Sequence, residues 1–158
     1  MAKKILIVDD DKDLVLTLEA ALRHNGYEVA KAYSGSEGLA VLVREKPDLI
    51  ILDVMMETDT AGFEIANQIR SSRPSSKYAA FKDIPIVMLT AINQVTNSRF
   101  SLDERDSFLP NIKDFLTKPI KIDELLKIIG QYRGHASISV KKQCTYELRY
   151  FSQNYQSI

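Results

Sequence analysis

Short apolar runs alternate with longer amphipathic stretches along most of this chain. Five runs read as strands: Lys4–Val8, Glu28–Ala32, Leu49–Asp53 and the segments at 84–89 and 114–117. Leu49-Ile50-Ile51-Leu52 is continuously apolar, the pattern of a strand covered on both faces. Between the runs, Leu14, Leu18, Ala21 and Leu22 recur at helical spacing, and Asn25-Gly26 supplies a stop signal. Leu39, Leu42 and Val43 form a second stripe. It is entered through Ser34-Gly35-Ser36-Glu37, whose serine and glutamate suit a capping box. Phe63, Ala66 and Ile69 form a third stripe. Leu125, Leu126, Ile128 and Ile129 form the last, with Asp123 placed to cap it and Gly130 to end it. Strand and helix in strict alternation predict a parallel sheet covered by helices on both sides.

Two stretches break the rhythm. Across residues 94–110 the apolar positions thin out to Val95, Phe100, Leu102, Phe108 and Leu109. The pattern there predicts a loop followed by a shortened or displaced helix, opened near Ser101-Leu102-Asp103-Glu104 and closed by Pro110. Residues 71–77, Ser-Ser-Arg-Pro-Ser-Ser-Lys, read as a surface loop. After Gly130 charges become few, and Tyr146, Tyr150, Phe151 and Tyr155 are scattered beside an alternating Ile138/Val140 piece. About 25 residues cannot build a core of their own. The expected organisation is one domain over residues 1–130 and a C-terminal tail over 131–158, its role open and its apolar content high for a disordered linker.

Composition narrows the class. The chain has 158 residues, with 21 basic and 21 acidic side chains, so no global charge points to nucleic acid or a membrane surface. One cysteine, Cys144, excludes an internal disulfide and fits a reducing compartment. Met1-Ala2-Lys3-Lys4 leads into an apolar run too short for a signal peptide, and no run is long enough to cross a bilayer. The expectation is a soluble cytoplasmic protein.

The candidate chemistry lies at the strand ends. Asp9 and Asp10 follow the first strand, Asp53 ends the third, Thr90 the fourth and Lys118 the fifth. In open parallel sheets the carboxyl edge is where ligands collect. Acids brought together there resist joint ionisation unless a cation is present. Mg²⁺ takes oxygen ligands and keeps some water. A phosphoryl group takes a metal, a hydroxyl or amide donor and a lysine around its oxygens.

Four pieces in register carry a resemblance. They are Ile5-Leu6-Ile7-Val8-Asp9-Asp10-Asp11, Ile51-Leu52-Asp53-Val54-Met55-Met56, Val87-Met88-Leu89-Thr90-Ala91 and Phe115-Leu116-Thr117-Lys118-Pro119. With them, about residues 3 to 130 resemble the receiver domain of two-component response regulators. The resemblance implies a doubly wound, flavodoxin-like α/β fold with five parallel strands in the order 2-1-3-4-5. It implies that Asp53 accepts a phosphoryl group from a phosphohistidine on a sensor histidine kinase or histidine phosphotransfer protein. Asp10 would bind Mg²⁺ with Asp53 and the backbone carbonyl of Met55, and Asp9 would act through water or as a second ligand. Thr90 and Lys118 would each hold a phosphoryl oxygen, and Phe115 would turn inward on activation. Lys118-Pro119 would be a cis peptide. Such a domain is a switch, with no catalysis beyond its own phosphorylation and dephosphorylation. It would signal to a downstream protein through the fourth helix, fifth strand and fifth helix, with a homodimer as one mode of assembly and no direct contact with nucleic acid or membrane.

Some of these residues have plainer readings. Asp11 or Asp13 can cap the first helix, and Thr90 can cap a helix entry. Phe115 reads as core on pattern alone. His24 and His135 read as surface residues and Cys144 as a tail thiol. The chain also departs from the family pattern. Glu57 stands where a proline is usual, and Gly62 comes one residue late, so the loop Glu57-Thr58-Asp59-Thr60-Ala61 is longer and more acidic. A changed kinase-docking edge and an altered metal affinity are expected. The span from Thr90 to Lys118 is about six residues longer than usual, which predicts a remodelled output surface. Met55 and Ile92 flank the phosphoryl position and cannot orient a water, which predicts slow self-dephosphorylation.

Other functions fit less well. A haloacid-dehalogenase-type phosphatase needs an acid where Met55 stands. Asp9-Asp10-Asp11 would repel the phosphate of a flavin nucleotide. The glycine fingerprint of a dinucleotide enzyme is missing. The strongest rival is a receiver-like interaction module that signals without phosphorylation.

Overall fold

The computed structural model describes residues 3–91 and 112–132. They form β1 (Lys4–Val8), α1 (Lys12–His24), β2 (Glu28–Ala32), α2 (Gly35–Glu45), β3 (Leu49–Asp53), α3 (Ala61–Arg70), a 3-10 turn (Ala79–Phe81), β4 (Ile86–Ala91), β5 (Ile112–Lys118) and α4 (Ile122–Gln131). The strands make a single parallel five-stranded sheet in the order β2-β1-β3-β4-β5, as expected.

Successive strand residues face opposite sides of a sheet, so each apolar run feeds two cores. Leu6, Val8, Ile50, Leu52, Ile86 and Met88 pack with α2 and α3 through Leu39, Val41, Leu42, Ile65, Ala66 and Ile69. Ile5, Ile7, Leu49, Ile51, Val87 and Leu89 pack on the other side with Val15, Leu18 and Leu22 of α1 and Leu125 and Ile129 of α4. Every residue of β3 is buried, which is why its run carries no polar alternation.

Local signals set both ends of α1 and the start of α2. Asp11 caps α1 by accepting the Leu14 N–H at 3.1 Å. At the other end Asn25 returns a side-chain bond to the Ala21 carbonyl, and Gly26 takes φ +82°. Ser34 Oγ accepts the Glu37 N–H as a capping box requires, but the Glu37 carboxylate accepts the N–H of Tyr33, one residue before the N-cap, rather than that of Ser34 itself.

Several expectations need correction. Val41, rather than Val43, is buried on α2, because Gly35, Gly38 and Leu42 centre the inward face and leave Val43 outside it. Val15 joins the buried face of α1. The last helix is not capped by Asp123: its N-cap is Lys121, and Asp123 lies inside the first turn, where it faces the positive end of the helix dipole. Gly130 does not end that helix, which runs one residue further to Gln131. A glycine stops a helix by taking positive φ, and Gly130 does not. β4 starts two residues later than predicted and runs on through Thr90 to Ala91, and β5 begins at Ile112. Residues 71–77 do form an exposed connection, followed by the 3-10 turn. The readings for residues 94–110, Ile92, His135, Cys144 and the tail lie outside the described residues.

Candidate functional site

Strand register gathers the predicted residues. Val8 pairs with Leu52, so Asp9 and Asp53 follow side by side at the carboxyl edge. Asp53 pairs with Leu89, placing Thr90 one step beyond it, and Ala91 pairs with Lys118. An extra residue on β5, Lys113, shifts the register opposite the Ile86–Val87 step. Lys118 thereby keeps the strand parity of Leu116, as Asp9 keeps that of Ile7 and Asp53 that of Ile51. All three belong to the α1–α4 side of the sheet.

The side chains meet there. Lys118 Nζ lies 2.9 Å from Asp9 Oδ2 and 3.2 Å from Asp53 Oδ1. Asp9 is fully buried, Asp53 is buried and Asp10 is exposed. Burial, and then the charge of Asp9, push the Asp53 carboxyl up to about 6, against the pull of Lys118. Burial works to lower the Lys118 ammonium, but its bonds and charge pairing with Asp9 and Asp53 outweigh that and leave it raised. The peptide between Lys118 and Pro119 is cis.

The donor set fits a hard divalent cation. One carboxylate oxygen from each of Asp9, Asp10 and Asp53 can be chosen so that all three lie within 4.8 Å of one another. Around Mg²⁺, with bonds of about 2.1 Å, two ligands are at most about 4.2 Å apart. A small side-chain movement, or one bridging water, closes that difference. Asp9 Oδ1 accepts the Asp11 N–H at 2.9 Å, and the buried Asp9 Oδ2 pairs with the Lys118 ammonium at 2.9 Å. Lys118 supplies the positive charge that this desolvated oxygen needs, and a divalent cation held by the same carboxylates would add to it.

The remaining predicted residues occupy the rim. Thr90 is buried at the end of β4, and its hydroxyl donates to the Ala91 carbonyl at 3.3 Å. Met55 follows Asp53 in the loop to α3, with an exposed side chain. Phe115, which reads as core by pattern, is 41% exposed: it faces the side of β5 opposite to that of Leu116, which packs with α4 and is buried.

Two features of the site were not legible as such. Glu57 Oε1 accepts the N–H of Gly35, the first residue of α2, at 2.7 Å across 22 residues of sequence. The substitution of proline by Glu57 was the signal, but nothing local names its partner. Gly62 packs its backbone against Asp53 and Val54 so closely that there is no room for a Cβ, and its N–H donates to the Val54 carbonyl at 2.9 Å.

The chain is similar to known proteins over this same region. Residues 5–130 match the response regulator receiver domain. The response regulator MprA of Mycobacterium bovis is 36% identical over 126 residues, covering 80% of this chain and 48% of that protein. The transcriptional regulatory protein YrkP of Bacillus subtilis is 35% identical over 144 residues, covering 90% of this chain and 55% of that one. This chain therefore spans about half the length of these relatives. Among solved structures, the chemotaxis response regulator CheY4 of Vibrio cholerae aligns with a TM-score of 0.67 at 29% identity, covering 84% of this chain and 99% of that one. The N-terminal domain of a response regulator receiver protein from Methanoculleus marisnigri aligns with a TM-score of 0.60 at 31% identity, over 85% and 99% of the two chains. On a profile match across most of its length, and on a sheet order and carboxyl-edge acid cluster that agree with it, this chain belongs to the response regulator receiver domain family of two-component systems.

Proposed function

We propose that residues 1–130 form a phosphorylation-dependent switch whose phosphoacceptor is Asp53, and that residues 131–158 are a separate tail. The observation that carries this reading is the contact of one ammonium, Lys118 Nζ, with both Asp9 and Asp53 inside a cluster of three carboxylates. Asp10, Asp53 and the Met55 carbonyl would hold Mg²⁺, with Asp9 acting directly or through water. Bound there, Mg²⁺ would offset the repulsion between a carboxylate and an approaching phosphoryl dianion.

The rest follows from this chain's own groups. An Asp53 oxygen forms a bond to phosphorus as the phosphohistidine P–N bond breaks. The electron pair stays on the leaving imidazole nitrogen, which takes a proton. Lys118, already beside Asp53, neutralises charge gathering on one equatorial oxygen. The Thr90 hydroxyl, which donates to the Ala91 carbonyl at 3.3 Å in this state, turns to a second oxygen. Phe115, exposed on β5, moves into the space that Thr90 vacates. Such a change alters the surface offered to a downstream protein without altering the fold. The donor is a sensor histidine kinase or a histidine phosphotransfer protein, and the setting is the cytoplasm. Among the described residues no helix is long and apolar enough to cross a membrane. With Met55 unable to orient a water, self-dephosphorylation is slow.

Beryllofluoride, a mimic of the phosphoryl group, tests this reading. Added with Mg²⁺, it is expected to shift the amide resonances of Asp53, Thr90, Phe115 and Lys118 together, and to do nothing without the metal. Binding of a partner protein with no such response would favour the phosphorylation-independent interaction module.

A further inference from the structure

We infer that Glu57 is a positioning residue: its hydrogen bond to Gly35 fixes the loop that carries Met55 and so strengthens the site's hold on a divalent cation. The inference rests on the Mg²⁺ reading above. The loop between β3 and α3 is anchored at its ends, where the Val54 N–H donates to the Leu89 carbonyl and the Gly62 N–H to the Val54 carbonyl, each at 2.9 Å. Inside the loop the bonds are local and longer: Met56 N to the Thr58 carbonyl at 3.2 Å, Ala61 N to the same carbonyl at 3.3 Å, and Thr60 N to Thr58 Oγ1 at 3.4 Å. Glu57, exposed and two residues beyond Met55, instead reaches out of the loop to α2 at 2.7 Å.

The partner is well chosen. Gly35 is buried, and its N–H lies in the first turn of α2, where no intrahelical acceptor exists. Left unpaired it would be a desolvated donor, and a carboxylate there also meets the positive end of the helix dipole. Gly35 itself is held by its buried place at the start of α2. The loop is therefore tied to a fixed point, and ordering it in advance leaves less entropy to lose when Met55 ligates. A proline in this position would stiffen the loop but could not make the bond.

The test uses the full chain, with Mg²⁺ titrated by calorimetry at constant neutral pH and ionic strength. Glu57→Ala is expected to weaken Mg²⁺ binding about tenfold, the lower end of what outer-shell partners contribute. It should also speed amide exchange at Gly35 in the absence of metal. Glu57→Gln keeps an acceptor oxygen and should restore both properties to within about threefold of the wild type. By reciprocity, Mg²⁺ should slow Gly35 exchange in the wild type but not in Glu57→Ala. Equal weakening in the Gln and Ala variants would assign the effect to charge and overturn the inference, as would unchanged affinity in Glu57→Ala. Failure of the wild type itself to bind Mg²⁺ would instead bring down the metal reading, and this inference with it.

Discussion

A side chain on Gly62 would collide with the backbone carbonyl oxygen of Asp53 and bring its Cβ to 2.8 Å from Val54 Cα. The first turn of α3 is thus pressed on the backbone of the proposed phosphoacceptor, and what gives way on substitution is main chain rather than a flexible side chain. Gly62→Ala is expected to destabilise the fold by about 3 kcal/mol, the upper part of the usual range for overpacking. Urea unfolding with an unchanged slope reads this, and a loss under about 1 kcal/mol would mean that α3 slides away freely.

Asp53 predicts an unusual dependence on pH. Its carboxyl is pushed up to about 6 in the folded chain, by burial first, from an ordinary 3.8. Between these values the folded state holds more protons than the unfolded one, so stability is greatest below about 4 for this group and is lost as pH rises through about 6. In metal-free protein Asp53→Asn is therefore expected to raise stability at neutral pH by about 1–3 kcal/mol, with the gain vanishing toward acid. Urea melts across pH in the presence of a chelator measure it. A gain that grows on acidification would have the sign wrong.

Much of the architecture is written locally, and the exceptions share a cause. Continuous apolar runs announce β1 and β3, Asn25-Gly26 announces the end of α1, and Ser34 with Glu37 announces the start of α2, because each acts within a few residues. The positions of Asp9, Asp53 and Lys118 at strand ends were equally readable. What brings Lys118 onto the right side is an extra residue in β5, which depends on pairing with β4. The exposure of Phe115 depends on which side of β5 it faces, and the bond between Glu57 and Gly35 on how the β3–α3 loop approaches α2. The end of α4 past Gly130 also meets a distant residue: Lys3 Nζ donates to the carbonyl of Tyr132, the residue after the helix, at 2.6 Å.

Lys118 balances two acids, and its removal should separate binding from chemistry. Lys118→Met takes away the ammonium 2.9 Å from Asp9 and 3.2 Å from Asp53. The Asp53 carboxyl is then expected to titrate above its present value of about 6, and Mg²⁺ to bind more tightly because no protein cation competes. Phosphotransfer should nevertheless slow by about a hundredfold, the loss typical of removing one group that stabilises developing charge. Carboxyl NMR titration and phosphorylation rates measure the two sides. Weaker Mg²⁺ binding would show that the lysine organises the pocket rather than balancing its charge.

Tyr132 fastens the end of α4 to β5. Its hydroxyl donates to Asp114 Oδ2 at 2.6 Å, and burial, followed by that bond, pushes its pKa far above the ordinary tyrosine value. Tyr132→Phe is expected to cost about 1.5–3 kcal/mol, the range for a hydrogen bond to a charged group. Denaturant unfolding reads the loss, and an ultraviolet titration should find this phenol protonated throughout the pH range in which the fold survives. A neutral substitution would show that water replaces the hydroxyl without cost.

Intact mass after incubation with acetyl phosphate, with and without Mg²⁺, decides whether this carboxyl-edge cluster is a working phosphoacceptor. The expected result is one added phosphoryl group per chain, present only with Mg²⁺ and abolished by Asp53→Asn. Modification that persists in Asp53→Asn, that ignores the metal, or that never occurs would contradict it.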